Sequence, residues 1–344
     1  MDKTYIQGWM VVTGYAWRLG SFRIGEEGCF GSFSFFLKTV HLIFVNLSCR
    51  FEREFNTIKR MKKNTVKFSI LLATVVLSLT GFAQKTNFEK AGWKLGVQSY
   101  SFHKFTFQEA VDKAQQLGLK YIEVYYGQPL GEGMEGTMDF RMNKNTRKQV
   151  LKYARSKKVK IVASGVVICK DEQEWEQLFE FADAMGIEII TCEPEYPHLK
   201  YVDKLANKYK IDVAIHNHPK PSNYWNPDMF LEAVDGLSGR IGACADVGHW
   251  KRMNLDPVEC LKKLEGRVKA LHFKDIKEKV EGEAEQHDVI WGTGILDMKG
   301  MLTELEQQNF KGLFSIEYEH NWDNSVPDIE KSISYFKNLS DEIL

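Results

Sequence analysis

No C-x-x-C pair occurs among the six cysteines, which stand far apart along the 344 residues. That spacing excludes a dense disulfide scaffold and a structural zinc site built from paired thiolates. Excess charge of either sign is missing too, since 46 Lys and Arg offset 46 Asp and Glu. A chain without a global basic bias lacks the phosphate-neutralising surface that nucleic acid requires, so no nucleic-acid partner is expected. Proline is scarce, at eight residues, and no Gly-x-Gly-x-x-Gly turn follows the first strand-like run, where Gln98-Ser99-Tyr100-Ser101-Phe102 stands instead. A dinucleotide-binding turn is thereby excluded at that point. What remains is the composition of an ordinary folded protein, 44% hydrophobic and 27% charged, long enough for one large domain or two ordinary ones.

The first ninety residues stand apart. Lys62, Lys63 and Lys67 precede an apolar run from Phe68 to Phe82, and Gly81 and Ala83 put small residues at −3 and −1 before Gln84. A basic start, a short apolar centre and a small-residue end describe a secretory signal peptide from Met61. The run is roughly fifteen residues, short of the about 20 that span a bilayer. A signal must be N-terminal to act. Residues 1–60 are therefore expected to be a spurious or disordered extension, 61–83 the signal peptide and 84–344 the folded domain. The competing reading is a true extension followed by an internal anchor helix. On the first reading the mature protein is periplasmic or secreted and has no stable membrane span.

From Lys94 onward, strand-like and helix-like runs alternate. Apolar runs occur at Leu95–Ser101, Tyr121–Tyr126, Lys160–Val167, Glu188–Glu193, Val213–His218, Ile241–Asp246, Val268–Phe273 and Leu313–Tyr318. Most are apolar nearly throughout, as strands buried on both faces should be. Amphipathic runs such as Phe107–Leu117, Trp175–Met185 and Leu199–Tyr209 lie between them, and the last covers about Asp328–Leu339. Gly118, Gly186 and Gly266 fall where helices should stop. Eight β/α units in about 260 residues predict a single-domain α/β fold, a (β/α)8 TIM barrel, over an open doubly wound sheet.

In a barrel, functional groups belong at the C-terminal ends of the strands. The fourth strand ends in Cys192-Glu193-Pro194-Glu195, the fifth in His216-Asn217-His218, and the sixth in Asp246-Val247-Gly248-His249-Trp250. The seventh ends in His272-Phe273-Lys274-Asp275 and the eighth in Glu317-Tyr318-Glu319. Charged groups and imidazoles at five successive ends would each cost several kcal/mol, on the order of 2–7, if desolvated without partners. A divalent cation supplies the partner, and a mixed His, Asp and Glu set suits Mn2+, Zn2+, Co2+ or Fe2+ better than Ca2+ or Mg2+. Strand alternation puts Glu317 on the inner face with Ser315, His272 with Lys274, and His216 with Ala214. Cys192 and Cys244 are read as falling off that register, as packing thiols.

The Asp246-x-x-His249 and His272-x-Lys274-Asp275 motifs, the Gly292-Thr293-Gly294 turn and Glu317 together resemble the xylose isomerase-like superfamily. This superfamily contains ketose 3-epimerases, hydroxypyruvate isomerase-like enzymes, inosose dehydratases and endonuclease IV. The resemblance spans about Lys94 to Leu339. It implies metal ligands at His216, Asp246, His272 and Glu317. One departure matters: the family usually carries Glu-Asn at the end of strand 5, where this chain has His216-Asn217. Glu193 on strand 4 is placed to replace the missing carboxylate, as ligand or base. The competing role for Glu193 is a salt bridge to Lys274.

The resemblance implies a metal-dependent isomerase or epimerase that moves a proton next to a carbonyl of a small sugar through an enediolate. Glu193 and Glu317 are the expected base and acid, with Lys274 or His249 supporting the oxyanion. His218, His287, Trp250, Trp291 and Tyr100 are expected to contact substrate, the aromatic rings by stacking; Trp322, Phe102 and His103 join that class. Two other outcomes stay open: a lyase eliminating from a keto-sugar or 3-keto-glycoside, and an inactive sugar-binding barrel. Endonuclease activity is not expected without a basic groove. Association into a homo-oligomer stays open.

Overall fold

The computed structural model describes residues 85–282 and 286–344, and the backbone of two strands, Gly8–Val12 and Tyr15–Leu19. The chain divides into two units, Met1–Ala83 and Gln84–Leu344. In the first, the two strands pair antiparallel. The expected signal peptide at 61–83, and the expected extension at 1–60 apart from that pair, lie outside the described residues.

The second unit is a closed barrel of eight parallel strands. They are β1 Lys94–Gln98, β2 Tyr121–Val124, β3 Lys160–Val167 and β4 Ile189–Cys192. β5 Asp212–His216, β6 Ile241–Asp246, β7 Val268–Phe273 and β8 Leu313–Ile316 complete it. Neighbours follow chain order, and β8 closes on β1 through Leu313 opposite Lys94 and Ile316 opposite Val97. This is the expected (β/α)8 barrel. Several strands stop short of the sequence-based ends. β5 ends at His216 rather than His218, and β8 at Ile316 rather than Tyr318. β1 passes at Ser99 into a 3-10 turn reaching Phe102. Past these points the backbone leaves the ladder to build the mouth.

The outer ring comprises α1 Phe107–Gln116, α2 Lys144–Ser156, α3 Glu172–Met185, α4 Leu199–Tyr209, α5 Pro227–Ala233, α6 Pro257–Lys263, α7 Met298–Gln307 and α8 Val326–Ile343. Local chemistry sets their ends. Thr106 and Glu109 form a reciprocal capping box at the start of α1, which buries Phe107, Ala110, Val111 and Ala114. Gly186 ends α3 at φ 69°, a left-handed position that glycine adopts without Cβ strain. No helix among the described residues is long and apolar enough to cross a membrane.

Two apolar layers hold the barrel. Large rings such as Trp93, Phe273, Phe314 and Phe336 pack between strands and helices. Inside, Ala214, Cys244 and Ala270 form a small-residue layer with Val162, Ile189 and Leu313. The same parity carries Ala214 up to His216, Cys244 to Asp246 and Ala270 to His272. The inner layer is therefore the floor of the site. Cys244 thus corrects the sequence reading: it faces inward in register, and burial pushes its thiol up to about 11. Cys192 packs outside, as expected.

Candidate metal centre

His216 ends β5, Asp246 ends β6, His272 lies on β7 and Glu317 follows β8. The closed sheet brings these four ends together. One donor atom from each lies within 4.8 Å of all the others, and all four side chains are buried. These are the four positions the resemblance singled out. Three of their atoms, His216 Nε2, Asp246 Oδ2 and His272 Nδ1, make no well-formed hydrogen bond, although Asp246 Oδ2 lies 3.0 Å from Lys274 Nζ and His272 Nδ1 lies 3.1 Å from Glu317 Oε2. A buried polar atom without a good partner costs about 1–3 kcal/mol. A group of them drawn to one place is what a divalent cation would satisfy, so the donor set fits a borderline ion such as Zn2+, Mn2+, Co2+ or Fe2+.

Lys274 reaches the same place from one strand position further along. Its ammonium stands 2.7 Å from Glu317 Oε2, 2.9 Å from Glu319 Oε1 and 3.0 Å from Asp246 Oδ2. Gly248 makes room for the stem, since a Cβ there would come 2.6 Å from Lys274 Cδ. Lys274 therefore pairs neither with Glu193 nor with Asp275. Asp275 instead accepts backbone N–H bonds from Gly292, Gly294, Leu296 and Ile276 at 2.8–3.1 Å. A Cβ on Gly294 would meet its carboxylate at 2.2 Å. The Gly292-Thr293-Gly294 turn is thus a latch around a buried carboxylate.

Glu193, just past β4, faces a different set of partners. Its Oε1 is bonded by the Nδ1 atoms of His216, at 3.2 Å, and His218, and by the His218 backbone N–H at 3.2 Å. Ser222 Oγ donates to Oε2 at 2.9 Å. The competing role, a salt bridge to Lys274, is not what forms; this imidazole pair takes its place. His249 sits in the short helix Val247–Arg252, whose first turn is capped by Asp246 accepting from His249 N at 2.7 Å. His216, His218 and His249 form a second nitrogen-rich group with ligand atoms within 4.8 Å of one another.

Protonation follows from this geometry. Burial tends to raise the Glu193 carboxyl, but hydrogen bonds from His216 and His218 hold it well below the usual range. Glu317 and Asp246 are likewise kept ionised against burial, Glu317 by His272 and Lys274, and Asp246 by His249, Lys274 and His216. Burial opposes charge on His272 and His216, yet their acidic surroundings raise both. Burial, with Lys274 nearby, pushes His249 down to about 3, so its ring is neutral at ordinary pH. Protons and a metal ion would compete for the same imidazole nitrogens.

Glu123, inward on β2 and fully buried, was missed by the sequence reading. Its Oε2 bonds His272 Nε2 at 3.1 Å and its Oε1 accepts from Thr191 Oγ1 at 2.6 Å. The signal was available, since an acid in the apolar run Tyr121–Val124 shares parity with an inward Tyr121. Asn217 was also overlooked; its side chain pairs both ways with the Asp246 backbone, at 2.8 and 3.0 Å. Arg252, bonded to Asp288 at 2.6 Å, completes the wall.

The expected substrate-contact residues divide. Trp250 and Trp291 are 1% exposed and lie in the core, Trp291 against Phe273 and Phe336. Their faces are covered by packing, which corrects the stacking role expected of them. Phe102 is buried as well. Tyr100 is exposed and sits with His103, Tyr125 and Trp322. His287 stacks on His320 at 4.1 Å, beside the Asp275–Ile276 and Asp288–Val289 strand pair. His218 is half-exposed at the rim.

The family model described as "Xylose isomerase-like TIM barrel" matches residues 111–339. A solved structure of an uncharacterized protein from Parabacteroides distasonis is 37% identical, covering 72% of this chain and 99% of its own, with TM-score 0.60. An IolI protein solved with a zinc atom is 16% identical, covering 73% of this chain and 99% of its own, with TM-score 0.58, a likeness of fold. An inosose dehydratase 2 from Bacillus cereus is 23% identical over 164 residues, 44% of this chain. The match spans about half the length of that curated relative, 49%.

Proposed function

This chain belongs to the xylose isomerase-like TIM-barrel family, and from that premise we propose that it is a metal-dependent enzyme moving a proton next to a carbonyl of a small sugar. The observation that carries the reading is the set of four buried donors within 4.8 Å, three with atoms that make no well-formed hydrogen bond, beside an ionised Glu193. His216, Asp246, His272 and Glu317 would hold the ion. When bound, it supplies Lewis-acid polarisation of substrate oxygens.

Glu193 is the base. It is ionised, lies at the rim, and is oriented by His216, His218 and Ser222. It takes the proton from the carbon beside the carbonyl, and the half-exposed His218 offers that proton a route to solvent. Lys274, kept protonated by Asp246, Glu317 and Glu319, stabilises the oxyanion of the enediolate. His249 accepts or donates a hydrogen bond as a neutral ring. Return of the proton from Glu193 to the neighbouring carbon of the enediolate completes isomerisation, whereas epimerisation requires a second donor on the opposite face.

A second reading is elimination. Glu317 is clamped by Lys274 and His272, so it is poorly suited to act as a second acid or base on the opposite side of the sugar. A single base suits loss of a carbon-bound proton followed by departure of a β-substituent, the chemistry of a lyase acting on a keto-sugar or 3-keto-glycoside. Incubation with free ketoses and with 3-keto-glycosides in D2O separates the two: deuterium enters carbon in the first, and an unsaturated product appears in the second. The absence of both deuterium uptake and an unsaturated product, in protein carrying stoichiometric metal, would favour an inactive sugar-binding barrel.

Residues 61–83 support export of the mature chain to the periplasm or beyond. N-terminal sequencing of the fractionated native protein tests this, with Gln84 the expected first residue.

A further inference from the structure

The imidazoles at the mouth differ in what holds the ring nitrogen that faces away from the cluster. His272 Nε2 lies 3.1 Å from Glu123 Oε2, and His216 Nδ1 lies 3.2 Å from Glu193 Oε1. An ionised carboxylate only accepts, so each of these outer nitrogens carries a proton. The inner nitrogens, His272 Nδ1 and His216 Nε2, are left with the lone pairs an ion can use, and neither makes a well-formed hydrogen bond. His218 is held in the same sense, with its Nδ1 on Glu193.

His249 is held in the opposite sense. Its Nδ1 stands 3.4 Å from Nη1 of Arg252, one turn further along the same short helix. A guanidinium offers only hydrogens and stays charged at any ordinary pH. A proton on Nδ1 would meet one of those hydrogens head-on, so Nδ1 accepts and the ring's single proton sits on Nε2. Arg252 is not free to turn away. Its Nε and Nη2 donate to Gln286 O at 3.2 and 2.9 Å, and Nη2 donates to Asp288 Oδ1 at 2.6 Å. Asp288 in turn accepts from Glu319 N at 2.9 Å, so segments following β6, β7 and β8 meet at this one side chain. Nε2 of His249 faces the cluster. It lies 3.5 Å from Asp246 Oδ2, as does His216 Nε2, but the His249 side chain is 15% exposed where that of His216 is 2%.

We infer that Arg252 is a positioning residue that fixes the Nε2–H tautomer of His249, making that ring a neutral hydrogen-bond donor to substrate and barring it from the metal. His216, His218 and His249 have ligand atoms within 4.8 Å of one another. The third presents a proton where the other two present lone pairs, so the trio is not a second ion site. A fixed, uncharged donor at the partly open edge of the cluster suits an oxygen on which charge develops. That donor role rests on the proton-transfer reading of the site, whereas the tautomer does not.

The test is nitrogen NMR of the full chain carrying 15N-labelled histidine, loaded with zinc and, in a parallel sample, with spin-active cadmium. The His249 signals are assigned by their loss in His249→Gln. In the wild type, His249 is expected to show a pyridine-like Nδ1 and a pyrrole-like Nε2, with cadmium coupling at His216 and His272 and none at His249. Arg252→Met should shift the proton to Nδ1, toward the freed Gln286 carbonyl and Asp288, and let Nε2 join the ion, so that cadmium coupling appears at His249. Arg252→Lys keeps a cationic donor and should restore the wild-type pattern. The His272 tautomer, set by Glu123, should stay unchanged in both variants and so report an intact barrel. A proton on Nδ1 or cadmium coupling at His249 in the wild type, or His249 signals in Arg252→Met identical to the wild type, would overturn the inference. The function is read separately, with free ketoses and 3-keto-glycosides in D2O. The expected tautomer without exchange or elimination sinks the proton-transfer reading and spares this inference, whereas turnover with His249 protonated on Nδ1 does the reverse.

Discussion

The two ends of the barrel use the same residue types to opposite effect. At the N-terminal end, Lys94 and Lys160 both pair with Glu188, and Arg240 and Lys269 pair with Asp212. A cavity of about 300 Å³ opens there, lined by Lys94, Glu188, Asp212 and Lys269 among others. Four cations share two carboxylates there, at a partly exposed surface where solvent screens the surplus. At the C-terminal end carboxylates, imidazoles and Lys274 crowd together, most of them buried, and three polar atoms make no well-formed hydrogen bond. Charge by itself therefore does not mark a site. What distinguishes the upper end is ionised groups and imidazoles packed together where water cannot reach them, whereas the pairs around the lower cavity are open to solvent.

The sharpest way to break this comparison is to remove a ligand. Asp246→Asn should abolish stoichiometric metal and lower turnover on the order of 1000-fold, beyond the about 10–100-fold typical of an outer partner. Metal analysis of the purified protein checks it; unchanged metal content would remove Asp246 from the ligand set. Glu193→Gln should come next, with metal retained and exchange of the carbon-bound proton slowed by about 100- to 10,000-fold, the range of a lost general base. If metal is lost along with exchange, Glu193 is a ligand and the division between ion-holding and proton-moving residues fails.

Much of this contrast could be read from the residues alone, for a physical reason. Buried parallel strands leave long apolar runs, so polar residues at the ends of such runs stand out, and the family resemblance picks His216, Asp246, His272 and Glu317 from among them. Glu123 did not stand out, because β2 is only four residues and its acid lies inside the run, where it reads as an interruption of the strand. Partnerships were harder to see than positions. That Lys274 bridges Asp246, Glu317 and Glu319, while Asp275 turns back to latch the Gly292–Gly294 loop, depends on how neighbouring strands are staggered. Trp250 and Trp291 misled because a loop position does not reveal which way a ring turns, and both turn into the core.

Glu123 gives a finer test of how the upper end is organised. Its bond to His272 Nε2 fixes which nitrogen of that ring faces the cluster, leaving Nδ1 toward Glu317. Glu123→Gln keeps the shape but removes the charge, and should weaken metal binding about 10–100-fold while leaving one site per chain. Titration against a competing chelator reads this directly. Affinity equal to wild type would show that His272 is oriented by packing alone.

The smallest effect is expected at the lower end, and its smallness is the point. Glu188→Gln breaks two ion pairs whose side chains are about one-third to one-half exposed. Exposed pairs of this kind contribute about 0–1 kcal/mol each because solvent and salt screen them. Thermal unfolding of Glu188→Gln should therefore shift by only a few degrees, about 2–4 °C per kcal/mol for a domain of this size. The shift should shrink further in high salt, and metal content and turnover should match the wild type. A loss of turnover in this variant would mean that the two ends are coupled through the barrel interior. The layer of Ala214, Cys244 and Ala270 between them would then be transmitting strain rather than merely supporting the site.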